Sequence, residues 1–316
     1  MHLLLIAMTL VTALCAAEPG ATTVSRWKDG KDGAFVLIFD DGMPSHLKQA
    51  IPELTRRGMV GTFYLCPAVK WFDAKAWSAG GPAQAMTVAN HTSTHAGAKT
   101  AAEAEADIVQ CAKALQALRP ELAKPRLVSF ARPGGVPWKL SEAEQAGILT
   151  RNHLLKRPAS DGRFGGMHLK SAAEMIRFVD QAVQQGSLEW VMFHGVGGDW
   201  LSTPLADFTA LLDALVAKRD RLWITDTVSA QVYEAERQAA SVVVLAVDAG
   251  SIRLRLACPL DPVLYNAPLT LSTRVPAGWG ACTVAQSSRS AAVQAVDGVL
   301  RYDATPGADE IVISRR

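Results

Sequence analysis

The chain has no excess of either charge: 32 Lys and Arg stand against 30 Asp and Glu over 316 residues, a net of +2. Nucleic acid needs a clustered basic face, so that class of partner is excluded. No block of like charge occurs and 49% of the residues are hydrophobic, which excludes disorder and supplies a sizeable core. Long apolar runs are missing with one exception. Leu3 to Ala17 runs fifteen residues without a charge, short of the roughly 20 that a bilayer span requires, so no membrane span is expected. Its place at the N-terminus and its small-residue end, Cys15-Ala16-Ala17, predict a signal peptide over residues 1–17 and a secreted or periplasmic protein. A buried N-terminal helix is the alternative. Cysteine is sparse. Beyond that segment there are only Cys66, Cys111, Cys258 and Cys282, an even number that allows three full pairings. Cys258 and Cys282 share one late region and can staple it, whereas Cys66 and Cys111 are expected as free buried thiols, because a chain of this length folds without disulfides.

At roughly 150 residues per domain the length suggests two domains, and the texture of the sequence divides it unevenly. Up to Glu236, β-branched and aromatic runs alternate with helical patterns. Strands are predicted at 34–39, 60–65, 86–90, 127–130, 188–193 and 222–225, and helices at 44–57, 100–118, 141–147, 171–185, 204–218 and 229–238. Such alternation argues for a parallel α/β sheet or barrel over residues 18–236. After Glu236 short alternating runs take over at 242–247, 252–257, 269–275, 281–286, 299–302 and 311–314, and turn signals such as Asp297-Gly298 separate them. Residues 237–316 are therefore expected to form a small all-β sandwich. That segment contains no lysine and no histidine. Chemistry that needs imidazole must come from the first domain.

Three motifs close predicted strands there. Phe39-Asp40-Asp41-Gly42 puts two adjacent carboxylates at a strand end, where a buried like-charge pair requires a cation or a proton between them. One carboxylate can ligate a metal while the other stays free beside the bound water; the plainer reading is an aspartate capping the next helix. Asn90-His91-Thr92-Ser93-Thr94-His95 brings two imidazoles four residues apart, suited to zinc and its neighbours. Together these supply two nitrogens and one oxygen, the ligand set of an open catalytic metal site. Phe193-His194-Gly195 closes a further strand. In a parallel α/β barrel, chemistry gathers at the C-terminal ends of strands, where all of these fall.

These motifs, with Phe130-Ala131-Arg132-Pro133-Gly134-Gly135 between the second and third, occur in the order seen in the polysaccharide deacetylases, carbohydrate esterase family 4, and residues 30–236 resemble that family's NodB homology domain. The resemblance implies a distorted (β/α) barrel that removes acetyl groups from carbohydrate with one divalent metal ion, zinc first and cobalt or nickel as alternatives. Carried over residue by residue, Asp40 is the general base, Asp41, His91 and His95 are the metal ligands, and His194 is the general acid. Two departures stand out. Where the family has an arginine that holds the catalytic aspartate, this chain has Ala131, with Arg132 one position late; Arg132 either reaches Asp40 by another path or faces solvent. The family's aspartate that precedes the last histidine has only Asp161 as a weak stand-in. Trp200, Trp138 and Trp71 are candidate sugar-stacking platforms, Trp200 foremost because glycine-rich chain connects it to His194, while core packing is the ordinary role of each. The expected substrate is an acetylated carbohydrate, and no protein partner is inferred. The alternatives are an O-acetyl esterase, such as an acetylxylan esterase, and a glycan-binding protein that has lost catalysis.

Overall fold

A computed structural model describes residues 18–158, 164–169 and 171–316. The predicted signal peptide and Asp161 lie outside the described residues. After a short strand β1 (Thr22–Val24) the chain runs β2 (Gly33–Asp40), α1 (Ile51–Arg56), β3 (Thr62–Leu65), α2 (Ala74–Trp77), β4 (Thr87–Asn90), α3 (Ala101–Leu118), β5 (Val128–Phe130), α4 (Glu142–Arg151), β6 (Leu154–Lys156), β7 (Gly166–Met167), α5 (Ala172–Gln185), β8 (Leu188–Phe193), α6 (Leu205–Ala217), β9 (Leu222–Thr225) and α7 (Thr227–Ala239). Each of the six predicted strands and six predicted helices is present. The starts of α2, α3, α4, α5 and α7 carry side-chain caps, including a capping box of Ser141 with Glu144 at α4 and Asp226 at α7.

Strands β2 to β9 form one parallel sheet in the order β6-β5-β4-β3-β2-β8-β7, with β9 as a branch. On one edge β2 pairs with β8 along 34–39; on the other it pairs with β9 along 33–36 and with β3 along 38–40. The two neighbours sharing one edge fork the sheet. Among the described residues no pairing joins β6 to β7, so the result is the distorted, open (β/α) barrel expected from the sequence.

The two-residue period of the strands decides which side chains face inward. Phe35, Leu37 and Phe39 enter the large core beneath the helices with Phe63, Leu65, Phe193 and Phe208. Val36 and Ile38 face the other way, joining Tyr64, Ala89, Ala131, Trp190 and Met192 inside the curl of the sheet. Continued in the same phase, the second set leads to Asp40, the last residue of β2, and to His91 and His194, one residue past β4 and β8. Alternation alone therefore brings three side chains from three strands to one face at one end of the barrel.

The remaining chain forms β10 (Ser241–Val247), β11 (Ser251–Ala257), β12 (Leu269–Arg274), β13 (Ala281–Gln286), β14 (Arg289–Gln294), β15 (Val299–Ala304) and β16 (Glu310–Arg315). A five-stranded sheet, β10-β11-β16-β13-β14, faces a three-stranded one, β1-β12-β15, over a core that includes Leu254, Leu271, Trp279 and Ile313. All pairings are antiparallel. This is the all-β region expected from residue 237 onward, with one addition from the other end of the chain: β1 pairs with β12 as the third strand of the smaller sheet. Tyr233 of α7 enters the same core and donates to the Ser25 carbonyl, tying barrel and sandwich together. Cys66, Cys111, Cys258 and Cys282 are free thiols, so the possible Cys258–Cys282 staple is absent. No helix among the described residues is long and apolar enough to cross a membrane.

Candidate metal centre

Asp41 follows β2 with a left-handed backbone (φ 73°) and Gly42 repeats that conformation (φ 59°), which turns the chain sharply at the strand end. A Cβ on Gly42 would also meet the Leu65 side chain at 2.9 Å. The Trp71 indole donates to the Asp41 carbonyl at 3.0 Å and holds this turn from the solvent side. The loop after β4 is fixed just as firmly. Asn90 accepts from the Thr92 amide at 2.9 Å, Asp107 of α3 accepts from the amides of Ser93 and Thr94, and the Thr92 hydroxyl accepts from the His95 amide. Thr92 and His95 both take left-handed conformations there.

These restraints point both imidazoles at Asp41. His91 pairs through Nδ1 with the Ala131 carbonyl at 2.8 Å, which leaves the Nε2 lone pair for the site. Asp41 Oδ1 lies 3.4 Å from His91 Nε2 and 3.4 Å from His95 Nε2, and it is buried with no hydrogen-bond partner among the described residues. Ligand atoms about 2.0–2.1 Å from a tetrahedral ion stand about 3.3–3.4 Å from one another, so the spacing and the orphaned oxygen both fit a small divalent cation. Among the described residues Asp41, His91 and His95 form the one group with such spacing. Three protein ligands leave further positions open for water or substrate.

Two groups flank the triad. Asp40 is buried, with Oδ2 3.9 Å from His91 Nε2, and receives Arg157 Nη1 on both carboxylate oxygens at 2.6 and 2.7 Å. Burial pushes its carboxyl up, but the Arg157 guanidinium, with the imidazoles of His91 and His194, more than reverses this and holds it below the ordinary 3.8. Asp41 shows the same direction: burial raises it, and the imidazoles of His91 and His95 bring it below 3.8 despite Asp40 beside it. On the far side His194 Nε2 stands 3.8 Å from Asp41 Oδ2. Burial lowers the His194 pKa below the ordinary 6.5 and outweighs the two aspartates, which raise it.

Arg132 does not reach Asp40. Arg132 is exposed and lines one cavity with Ala131, Arg157 and Trp190, but among the described residues no hydrogen bond or ion pair joins it to Asp40. The inward partner is Arg157, just past β6, whose guanidinium also lies over the buried Tyr64 ring at 5.1 Å. Tyr64 in turn shares a 2.7 Å hydrogen bond with Ser129. Two other residues that the sequence did not single out contact His194. The buried His46 pairs through Nε2 with the His194 carbonyl, and burial lowers its pKa to about 4, so it stays neutral. His168 stacks on the His194 ring. Trp200 is 60% exposed and meets His194 edge-on, and Trp71 is exposed on the Asp41 side, so both rim the site. Trp138 instead packs beside Phe130 in a core cluster under α3 and α4.

Residues 28–149 match the family model for polysaccharide deacetylase. Similar solved structures include a family 4 carbohydrate esterase from Streptomyces lividans in complex with acetate, 20% identical over 64% of this chain and 95% of that one, with a TM-score of 0.45. Another is the catalytic domain of a peptidoglycan N-acetylglucosamine deacetylase from Eubacterium rectale, 15% identical over 64% and 92%, TM-score 0.44. A third is a CE4 family pseudoenzyme from Bacillus anthracis, 15% identical over 61% and 63%, TM-score 0.43. No curated protein matches the chain.

Proposed function

We propose that this chain, whose residues 28–149 match the family model for polysaccharide deacetylase, is a metal-dependent hydrolase that removes acetyl groups from carbohydrate, the amide of an acetamido sugar foremost. The observation that carries this reading is the orphaned Asp41 Oδ1 with two Nε2 atoms 3.4 Å away, beside a second carboxylate that is already neutralised by an arginine. A divalent ion held by Asp41, His91 and His95, zinc by the chemistry of the donors, would acidify a water and polarise the acetyl carbonyl. The remaining work falls to the chain itself. Asp40, kept ionised by Arg157, accepts the proton of the attacking water. His194 stands across the site to deliver a proton to the departing nitrogen. Trp200 and Trp71, at the rim, offer faces for the apolar side of a pyranose ring.

The test is acetate release from chitin oligomers, peptidoglycan, poly-N-acetylglucosamine and acetylated xylan, with and without a chelator. Release from the acetamido polymers that stops on chelation is the expected result. Release from acetylated xylan alone would make the chain an ester hydrolase, and protein that holds metal but releases no acetate from any substrate would overturn the reading.

A further inference from the structure

A hydrogen bond to Nδ1 is the ordinary means of orienting a catalytic imidazole, and among the described residues His194 has none. Its Nδ1 is buried without a hydrogen-bond partner among the described residues. The ring is instead held by other rings. His168 lies nearly parallel to it, with centroids 5.1 Å apart and planes 10° apart. Trp200 meets it edge-on, with centroids 4.8 Å apart and planes at 81°. Behind the ring, His46 pairs with the His194 carbonyl. The following loop is pinned through the Ser45 hydroxyl, which accepts from the Val196 amide at 3.2 Å, and through Asp199, which accepts from the Ser45 amide at 2.6 Å. Gly195 permits this tight return, since a Cβ there would meet the Gly198 carbonyl oxygen at 2.0 Å.

His168 is exposed, just past β7, and carries a left-handed backbone (φ 55°). Among the described residues its ring contact is the stack on His194. We propose that His168 is a positioning residue for His194. The stacked ring sets the plane of the imidazole, Trp200 sets its tilt, and together they keep Nε2 directed at the reacting centre where a carboxylate would otherwise do so. The inference rests on the reading of His194 as the leaving-group acid. His168 itself touches no reacting atom.

The test uses metal-loaded protein with His168→Ala and His168→Phe. General acid catalysis contributes typically 10²- to 10⁴-fold, and loss of orientation should forfeit part of it. His168→Ala is expected to lower kcat on an acetamido substrate about 10- to 50-fold with KM and metal content unchanged. On an aryl acetate, whose phenolate leaves without a proton, the loss should stay below about threefold. His168→Phe keeps a flat ring in the stack and should restore most of the amide rate. Equal losses in Ala and Phe, equal losses on both substrates, or an unchanged amide rate in Ala would each overturn the proposal. A second readout needs no turnover. The His194 ring protons should lose a ring-current shift in His168→Ala and keep it in His168→Phe, and unchanged resonances in the Ala variant would also overturn it. Absence of acetate release in the parent protein would sink the hydrolase reading alone, because the resonances still decide the stack.

Discussion

One nitrogen of Arg157, Nη1, reaches both oxygens of the Asp40 carboxylate, at 2.6 and 2.7 Å, across 117 residues of chain. The pair is buried, and among the described residues Arg132 takes no part in it. Removing one partner of a buried ion pair leaves the other uncompensated, at a cost of roughly 3–5 kcal/mol. Arg157 retains some solvent contact, which puts the expected loss for Arg157→Ala near about 3 kcal/mol by urea unfolding. Turnover should fall at least about 100-fold while bound metal is kept, because Asp40 loses the group that orients it and keeps it ionised. Arg157→Lys restores a point charge without the planar fork and should recover only part of the rate. Arg132→Ala, exposed and not bonded to Asp40, should change turnover by less than about threefold. If the Arg132 and Arg157 variants lose activity equally, the assignment of the aspartate's partner is mistaken.

The contrast between those two arginines also marks how far the sequence can be read. Strands ending in Phe39, Asn90 and Phe193 are apolar enough to be recognised, so Asp40, Asp41, His91 and His194 could be placed at one end of the sheet before any coordinates. Arg157 was not legible in the same way. It follows a three-residue strand, Leu154–Lys156, too short to carry a period, and its partner becomes evident only when the sheet curls. The stack of His168 on His194 depends likewise on where β7 and β8 lie side by side. In the second domain β14 was missed because its exposed Arg-Ser-Ala-Ala pattern has no apolar face, and β1 because its pairing partner is some 250 residues away.

On the proposed reading the two adjacent aspartates divide into a ligand and a base. Asp41 Oδ1 is the atom both Nε2 groups approach, whereas Asp40 is committed to Arg157. Asp41→Ala, His91→Ala and His95→Ala should each lower metal content by at least about tenfold, measured by elemental analysis after dialysis. Asp40→Asn should keep a full complement of metal and lose turnover by about 100-fold or more. Asn at position 40 that still turns over substrate would remove Asp40 from the role of base; metal retained in the Asp41 variant would remove Asp41 from the ligand set.

Glu236, near the end of α7, gives a stability prediction independent of the site. Its side chain is fully buried where the helix meets the sandwich; Oε2 accepts from the Ala267 amide at 3.0 Å, and Oε1 has no partner. Burial pushes its pKa up from 4.5 to about 7. The folded chain thus holds a proton at Glu236 that the unfolded chain releases between those two values. Stability should therefore fall as pH rises from 4.5 to 7, with the full penalty present above 7 and none below 4.5. A pKa unit corresponds to about 1.4 kcal/mol, so Glu236→Gln, neutral at every pH, should be more stable than the parent by on the order of 2 kcal/mol at pH 8. Urea unfolding of both proteins at several pH values checks this: the two stabilities should converge near pH 4 and separate through neutrality, and a difference that does not vary with pH would show that Glu236 does not titrate in this range.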